Sequence, residues 1–243
     1  MMRLVLAAAI AVLYPASAIA AEITVLTSGV TAPVLRTFAD KWGAATGNKV
    51  TLRVGTVGGT VTNVGTVPAD VVLLMPDVMT GVTGKLKPAS TLTLASTKFA
   101  LAAKKGAPMP DISTVEKFAA VLKNSTGLQF NDPATGSASG ALVAAMLKRP
   151  EFAGVIARPI AKTPGVAVAE GAADLGGGAL SEEVPVAGAE VIGLFPESLG
   201  LHLDFSGAVL ANAADPDTAA AFLAYLKSAP AGEIWRSGGF ATP

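Results

Sequence analysis

The chain has 243 residues and a formal net charge of zero, with 51% hydrophobic and only 15% charged side chains. This length allows one large domain or two compact lobes with a sizeable core, and the even charge balance excludes an electrostatically driven partner such as nucleic acid or an acidic membrane surface. The chain contains no cysteine and one histidine, His202, which excludes disulfides, thiol nucleophiles and multi-histidine metal sites. We expect neither a metal nor a cofactor.

The first twenty residues have the pattern of a signal peptide. Arg3 supplies a positive start, residues 4–13 form an unbroken apolar run, and Ala18-Ile19-Ala20 has the small-x-small form of a cleavage site. The apolar run is much shorter than the roughly 20 residues that span a bilayer. Residues 1–20 are therefore predicted to be removed, and the mature protein is expected in the periplasm.

Strand and helix patterns alternate after the signal. A buried strand is predicted at residues 22–26, and two further strands are predicted at residues 50–54 and 69–74. A helix is predicted between the first two strands, beginning near Thr31 and ending at Gly43 and Gly47. Residues 55–66 form a stretch rich in glycine and threonine. The order strand, helix, strand predicts a mostly parallel sheet with helices on both faces, which is an α/β fold.

The second part of the chain continues in the same way. Further strands are predicted at residues 99–103, 127–130 and 201–210. Helices are predicted after the capping box at residues 113–116, at residues 141–147, from Asp215 onwards, and around Ile234 and Trp235.

Four segments carry a resemblance to a known family: residues 23–29, 68–72, 131–140 and 238–240. In this order they resemble periplasmic molybdate-binding proteins, which are type II periplasmic binding proteins of ABC importers. The resemblance implies two α/β lobes, each a mostly parallel sheet flanked by helices. Two hinge crossings would join the lobes, with the ligand between them. It places residues 22–95 and 207–243 in lobe one and residues 96–206 in lobe two.

Ligands of open α/β sheets lie beyond the carboxyl ends of strands, where the N–H groups of helix starts attract anions. Three loops there combine hydroxyls with glycines, although each could be an ordinary cap or turn. The expected ligand-binding residues are Thr27, Ser28 and Gly29, then Thr56, Gly58, Gly59 and Thr60, and finally Thr135, Gly136, Ser137 and Ser139. A fourth segment, residues 176–181, lacks the tyrosine that the resemblance implies, and we expect no contact from it.

The charges of these loops favour a particular class of ligand. No loop contains lysine or arginine, and Asp132 is their only acidic residue. Sites made of donors alone suit a fully ionised oxyanion such as molybdate, tungstate or sulfate. Hydrogen phosphate would require an acceptor for its proton, and a di- or tricarboxylate would favour an arginine fork. Arg36 and Arg53 fall within a predicted helix and strand instead.

Other conspicuous polar residues receive simpler interpretations. His202 and Asp204 share one face of a predicted strand, but no nucleophile motif accompanies them, so they are expected at the surface or hinge. Glu182 and Glu183 are expected to form a solvated helix start, and Asp70 to order the turn before its strand.

The leading hypothesis is therefore a monomeric binding protein without catalysis that captures a small anion and docks on an ABC permease of the inner membrane. The alternative is a secreted enzyme that isomerises a tricarboxylate, as the aconitate isomerases that resemble this family do. Such an enzyme needs a base and cationic groups near the cleft, and the loops supply neither. A ligand-sensing protein without a transporter stays open as a third hypothesis.

Overall fold

The computed structural model describes residues 20–243, so the predicted signal peptide lies outside the described residues except for its last residue, Ala20. The strands are β1 (Glu22–Ser28), β2 (Lys49–Gly55), β3 (Val71–Leu74), β4 (Leu92–Lys104), β5 (Leu128–Asn131), β6 (Ala157–Ile160), β7 (Leu175–Ala179), β8 (Ala189–Leu194) and β9 (His202–Val209). The α-helices are α1 (Ala32–Thr46), α2 (Val57–Asn63), α3 (Pro76–Thr80), α4 (Val115–Lys123), α5 (Ala138–Leu147), α6 (Pro164–Ala169), α7 (Leu180–Glu183), α8 (Pro216–Leu226) and α9 (Ala231–Ser237). Within residues 20–243, no helix has the length and apolar character required to cross a membrane.

The nine strands of residues 20–243 belong to one connected sheet in the order β2-β1-β3-β9-β4-β7-β5-β6, with β8 also paired to β4. Strand β1 runs parallel to β2 and β3, and β5 runs parallel to β6 and β7. Strands β4, β8 and β9 pair antiparallel with their neighbours. The predicted two-lobed α/β fold is therefore confirmed, with parallel strands at the centre of each lobe and antiparallel strands where the lobes join.

Strand β4 connects the two lobes, because its two ends pair with different partners. Leu92–Lys98 pairs with β9, whereas Phe99–Ala103 pairs with β7. The predicted strand at residues 99–103 was thus only the second part of a 13-residue strand. Strand β9 runs beside it and pairs with β3 on its other edge.

The apolar face of helix α1 packs into the core of lobe one. Phe38 is fully buried, and its ring lies 4.9 Å from that of Trp235, centroid to centroid. The helix ends at Gly47, whose φ of +76° favours glycine. The prediction that Gly43 also ends the helix was wrong. Gly43 lies inside α1, where a Cβ would approach the carbonyl oxygen of Asn48 to 2.9 Å, so the close return of the chain accounts for this glycine.

Asp70 connects distant parts of the same lobe. Its carboxylate accepts hydrogen bonds from the backbone N–H groups of Thr24 and Ala214, both at 2.8 Å, and of Asp215 at 3.3 Å. The expectation of a purely local turn residue was therefore too narrow. Asp70 joins β1 to the segment that leads into α8.

In lobe two, three aromatic rings pack against one another. The Phe118 ring lies 4.5 Å from that of Phe195 and 5.7 Å from that of Phe152, which packs α4 against the sheet. Strands β6, β7 and β8 in this lobe were not predicted, and most of β7 falls in the fourth segment, residues 176–181. Pro159 removes a backbone donor from β6 and so disguises this edge strand.

Candidate functional site

A small cleft lies between the two lobes, at the carboxyl ends of five strands. Its volume is about 200 Å³, below the roughly 300–1,000 Å³ of pockets for drug-sized ligands. Its lining follows β1 (Ser28, Gly29, Val30), β2 (Gly55, Thr56, Val57), β5 (Asn131, Thr135, Ser137, Ala138), β6 (Ile160, Ala161, Thr163) and β7 (Glu182). Strand ends of both lobes therefore converge on one space, which is the expected ligand position in such sheets.

The side of the cleft formed by lobe one presents two hydroxyls. Ser28 is only 2% exposed, and its Oγ has no hydrogen-bond partner within residues 20–243. Thr56 precedes α2, and its Oγ1 accepts a hydrogen bond from the N–H of Gly59 at 3.2 Å. The Thr56 hydroxyl therefore keeps its own proton available.

Two threonines hold these loops from behind. Thr27 is fully buried, and its Oγ1 lies 2.5 Å from Oγ1 of Thr31 at the start of α1. The hydroxyl of Thr60 donates to the carbonyl oxygen of Thr27 at 3.1 Å. Neither Thr27 nor Thr60 lines the cleft, so both fix the loops that carry Ser28 and Thr56.

The opposite side is organised by the start of α5. Ser137 precedes this helix, and its Oγ accepts a hydrogen bond from the N–H of Gly140 at 3.1 Å. A Cβ on Gly140 would lie 2.1 Å from the carbonyl oxygen of Asn131, so only glycine lets α5 begin directly against the end of β5. Thr135 also lines the cleft, but its hydroxyl donates to the carbonyl oxygen of Asp132 at 2.7 Å.

The two lobes touch at the rim of the cleft. The N–H of Gly58 in lobe one points to the carbonyl oxygen of Gly136 in lobe two at 3.5 Å. Gly136 has a φ of +80°, and a Cβ there would lie 3.1 Å from Oγ1 of Thr56. These two glycines therefore permit the lobes to approach closely.

The structure brings five of the predicted ligand-binding residues to the cleft lining and sets six just behind it. The lining residues are Ser28, Gly29, Thr56, Thr135 and Ser137. The supporting residues are Thr27, Gly58, Gly59, Thr60, Gly136 and Ser139. Ser139 is fully buried, with its Oγ within 3.2 Å of Ser137, Asn131 and Glu182.

The expectation of a solvated pair at Glu182 and Glu183 was wrong. Glu183 is only 2% exposed, and Glu182 is partly buried and lines the cleft. The reason lies in the connection, because α7 follows directly on the fully buried strand β7 and its first turn stays inside the protein.

Burial changes the acidity of both carboxyls. Desolvation raises the pKa of Glu182 to about 7, against the opposing hydrogen bonds from Ser139 and the backbone of Ala179. Desolvation also raises the pKa of Glu183 to about 8, and the neighbouring charge of Glu182 adds to this rise. The interpretation of the cleft as a set of donors alone was thus incomplete, because it contains a carboxyl.

The fourth segment, residues 176–181, does not reach the lining. Gly176, Gly177 and Gly178 lie within β7 and are buried. A Cβ on Gly177 would approach Leu128 to 3.0 Å and Phe195 to 3.1 Å, so this glycine accommodates the packed core. In this part of the chain the residue that lines the cleft is Glu182, one residue further on.

The basic residue nearest the cleft in sequence, Lys162, lies between the lining residues Ala161 and Thr163, is exposed and pairs with Glu170. None of the lining residues in the described part of the chain is lysine or arginine, and both Arg36 and Arg53 are exposed elsewhere. His202 and Asp204 lie 3.5 Å apart with at least half of each side chain exposed, in a second groove between α3 and α5 that shares only Ala138 with the cleft lining. The surface interpretation of this pair is confirmed.

Sequence reasoning missed three polar lining residues: Asn131, Thr163 and Glu182. Asn131 ends β5 inside a segment that the family resemblance already marked. Thr163 stands directly before Pro164, the first residue of α6, and its side chain makes no capping hydrogen bond. A threonine that stands between a strand and a helix beginning with proline therefore predicts a cleft-lining hydroxyl of this kind.

Comparison with known proteins agrees with this geometry. The family model described as bacterial extracellular solute-binding protein matches residues 23–241. An aconitate isomerase from Pseudomonas sp is 31% identical over 175 residues, which are 71% of this chain and 67% of that protein.

Solved structures agree in fold. The periplasmic molybdate-binding protein of Azotobacter vinelandii has a TM-score of 0.72 at 19% identity, covering 91% of this chain and 99% of that chain. The sulfate-binding protein of Mycobacterium tuberculosis has a TM-score of 0.70 at 16% identity, covering 90% of this chain and 86% of that chain. Because the family model covers nearly the whole described part of the chain, the protein belongs to the bacterial extracellular solute-binding proteins.

Proposed function

We propose that the protein binds a small oxyanion between its two lobes and presents it to an ABC-type permease in the inner membrane. The observation that carries the proposal is the buried hydroxyl of Ser28, a cleft-lining residue, which has no hydrogen-bond partner among the described residues. An unpartnered buried polar group destabilises the empty protein by about 1–3 kcal/mol. A ligand that accepts a hydrogen bond would remove this penalty.

Donors from both lobes support an anion as the ligand. Thr56 has an uncommitted hydroxyl proton on one side, and Ser137 and Thr163 can turn their hydroxyls into the cleft from the other. The N-terminal turns of α1 and α5 add backbone N–H groups and a partial positive charge on opposite sides. These groups can hold an anion without a basic side chain.

Lobe closure would complete the site. In this proposal residues 22–95 with 207–243 move as one lobe and residues 96–206 as the other, with bending in β4 and β9. The approach of Gly58 to Gly136 at the rim is compatible with a closed form of the cleft. The protein would act as a monomer in the periplasm, since one lobe pair contains the whole cleft.

The ligand is proposed to be a tetrahedral oxyanion of the molybdate, tungstate or sulfate class. The cleft of about 200 Å³ favours a small ligand, and the same fold occurs in a molybdate-binding and a sulfate-binding protein.

A second candidate is an isomerase acting on an unsaturated tricarboxylate. Its support is Glu182, a carboxyl in the cleft that could transfer a proton, together with 31% identity to an aconitate isomerase. Against it, the described cleft lining has no basic residue to bind three carboxylates. The binding protein is therefore the better-supported function.

Thermal unfolding of the purified protein with molybdate, tungstate, sulfate, phosphate, citrate and trans-aconitate tests the proposal. A bound ligand stabilises the folded state by about 2.7 kcal/mol at a hundredfold excess over Kd. We expect stabilisation by a tetrahedral oxyanion and none by citrate. Stabilisation by trans-aconitate alone, with a change of its ultraviolet absorbance on incubation, would favour the isomerase. No shift with any of the six would refute both.

A further inference from the structure

Glu182 stands beside the proposed anion site. Its Oε2 lies 3.2 Å from Oγ of Ser139 in lobe two, and its Oε1 lies 3.6 Å from the position of a Cβ on Gly29 in lobe one. Among the cleft-lining residues that the structure describes, Glu182 is the only one with an ionisable side chain. A ligand held by Ser28 and Ser137 would therefore lie next to this carboxyl.

An anion and an ionised carboxylate cannot share a small, partly buried space without strong repulsion. No cation lines the described cleft to offset it. The repulsion disappears when a proton lies between them, because one group then donates a hydrogen bond to the other.

We propose that the cleft binds its anion together with one proton, which the Glu182 carboxyl and the ligand share. This inference rests on the proposed function and specifies the ligand. A monoprotonated oxyanion such as hydrogen phosphate brings the proton itself and donates it to ionised Glu182. A fully ionised oxyanion binds only when Glu182 has taken a proton from solvent.

Among the charged groups around α7, Glu182 is the one whose protonation changes when an anion enters the cleft. The neighbouring Glu183 is buried outside the cleft lining, with its carboxyl oxygens against Gly165 and Gly178. Helices α5 and α6 and strands β5 and β7 carry no charged side chain. The elements α1, β4 and β8, which also pack against α7, carry only exposed charges: Arg36, Asp40, Lys41, Lys98, Lys104 and Glu190.

The protonation change falls in an accessible pH range. Since burial raises the pKa of Glu182 to about 7, the empty protein below that pH already holds the proton. Affinity for a fully ionised anion should then be independent of pH. Above it, affinity should fall tenfold for each pH unit, and at about pH 8.5 it should be roughly thirtyfold weaker than at about pH 6.

Calorimetric titration at these two pH values tests the inference, with molybdate, sulfate, trans-aconitate and phosphate as probes in two buffers of different ionisation heat. At the higher pH we expect uptake of about one proton with a fully ionised probe and none with hydrogen phosphate. The Glu182→Gln protein, neutral and of the same shape, should bind the ionised probe about thirtyfold more tightly than wild type at that pH, without proton uptake. The matched Glu183→Gln protein should keep the pH dependence.

Equal affinity of wild type for an ionised probe at both pH values, without proton uptake, would overturn the inference while leaving the proposed function intact. An unchanged pH dependence in Glu182→Gln would also overturn it. If none of the probes binds wild type at either pH, the proposed function fails and the inference fails with it. Should Glu182→Gln not fold, as judged by circular dichroism, the proton count of wild type decides alone.

Discussion

The buried hydroxyl of Ser28 and the buried carboxyls of Glu182 and Glu183 are among the groups that destabilise the folded protein. Each lies within a closely packed region and lacks the solvent or the full set of partners that it would have in the unfolded chain. Such positions are typical of functional sites, because a ligand can supply the missing hydrogen bond and a proton can neutralise the buried carboxylate.

Replacing Ser28 by alanine tests the role of its hydroxyl. We expect Ser28→Ala to raise the stability of the empty protein by about 1 kcal/mol, since an unpartnered buried hydroxyl is removed. Affinity for the anion should fall roughly tenfold to a hundredfold, the effect of one hydrogen bond to a charged group. Thermal unfolding with and without ligand measures both effects. Thr66→Ala, an exposed hydroxyl outside the cleft, is the control, and equal ligand shifts in wild type and Ser28→Ala would contradict this role.

Glu183 makes stability depend on pH. Because its folded pKa of about 8 lies above the ordinary value of 4.5, the folded protein keeps a proton that the unfolded chain has already released. This contribution to stability is complete below about pH 4.5 and is lost as pH rises towards about 8, by about 1.4 kcal/mol per pH unit for one such group.

Glu183→Gln should therefore be more stable than wild type at about pH 8, by about 2 kcal/mol or more, with a smaller difference at about pH 5. Denaturant unfolding at both pH values measures this. The exposed Glu233 on α9 provides the control Glu233→Gln, for which we expect a change within about 0.5 kcal/mol. A wild-type stability that rises between these pH values would contradict the assignment.

At the scale of elements, the site is made by strand ends that meet helix starts. Ser28 and Ser137 stand where a strand gives way to α1 and α5 through short connections. Their positions follow from the parallel arrangement of β1 and β5 in their own lobes, because parallel strands bring their carboxyl ends to one edge. The rim contact between Gly58 and Gly136 then brings the two edges together.

Gly136→Ala tests this rim contact. Its φ of +80° makes any side chain strained, and the new Cβ would press on Thr56 at 3.1 Å. Gly106 is a matched control, since its φ is +82° but a Cβ there meets nothing within 4 Å. Both variants should lose about 1–2 kcal/mol of stability. Only Gly136→Ala should also weaken anion binding, measured by calorimetry, and equal affinities for the two variants would contradict a role for rim closure.

The strand ends and helix starts that form the cleft were easier to predict from the sequence than the burial of the side chains around them. Ser28, Thr56 and Ser137 were found because strand periodicity locates a strand end from neighbouring residues alone. Glu182 and Glu183 were misinterpreted, because their burial depends on how β7 enters the sheet between β4 and β5, which is a long-range property. Gly43 was taken for a helix end for a different, local reason: a Cβ there would crowd the carbonyl oxygen of Asn48, just beyond the end of α1.

At the scale of the whole molecule, two parallel sheet centres are joined through the antiparallel strands β4 and β9. Strand β4 makes the connection, because Leu92–Lys98 pairs with β9 and Phe99–Ala103 pairs with β7. The resemblance in sequence, the family model and the solved structures agree on this architecture. The predicted division into residues 22–95 with 207–243 and residues 96–206 stays a prediction about which parts move together.

The central claim is that hydroxyls from both lobes hold one anion, and a crystal structure with the most strongly stabilising anion of the thermal panel tests it most directly. We predict that the anion lies within hydrogen-bond distance of Ser28 from lobe one and Ser137 from lobe two at the same time, with Glu182 beside it. An anion that contacts one lobe only, or that binds outside the cleft, would contradict the account.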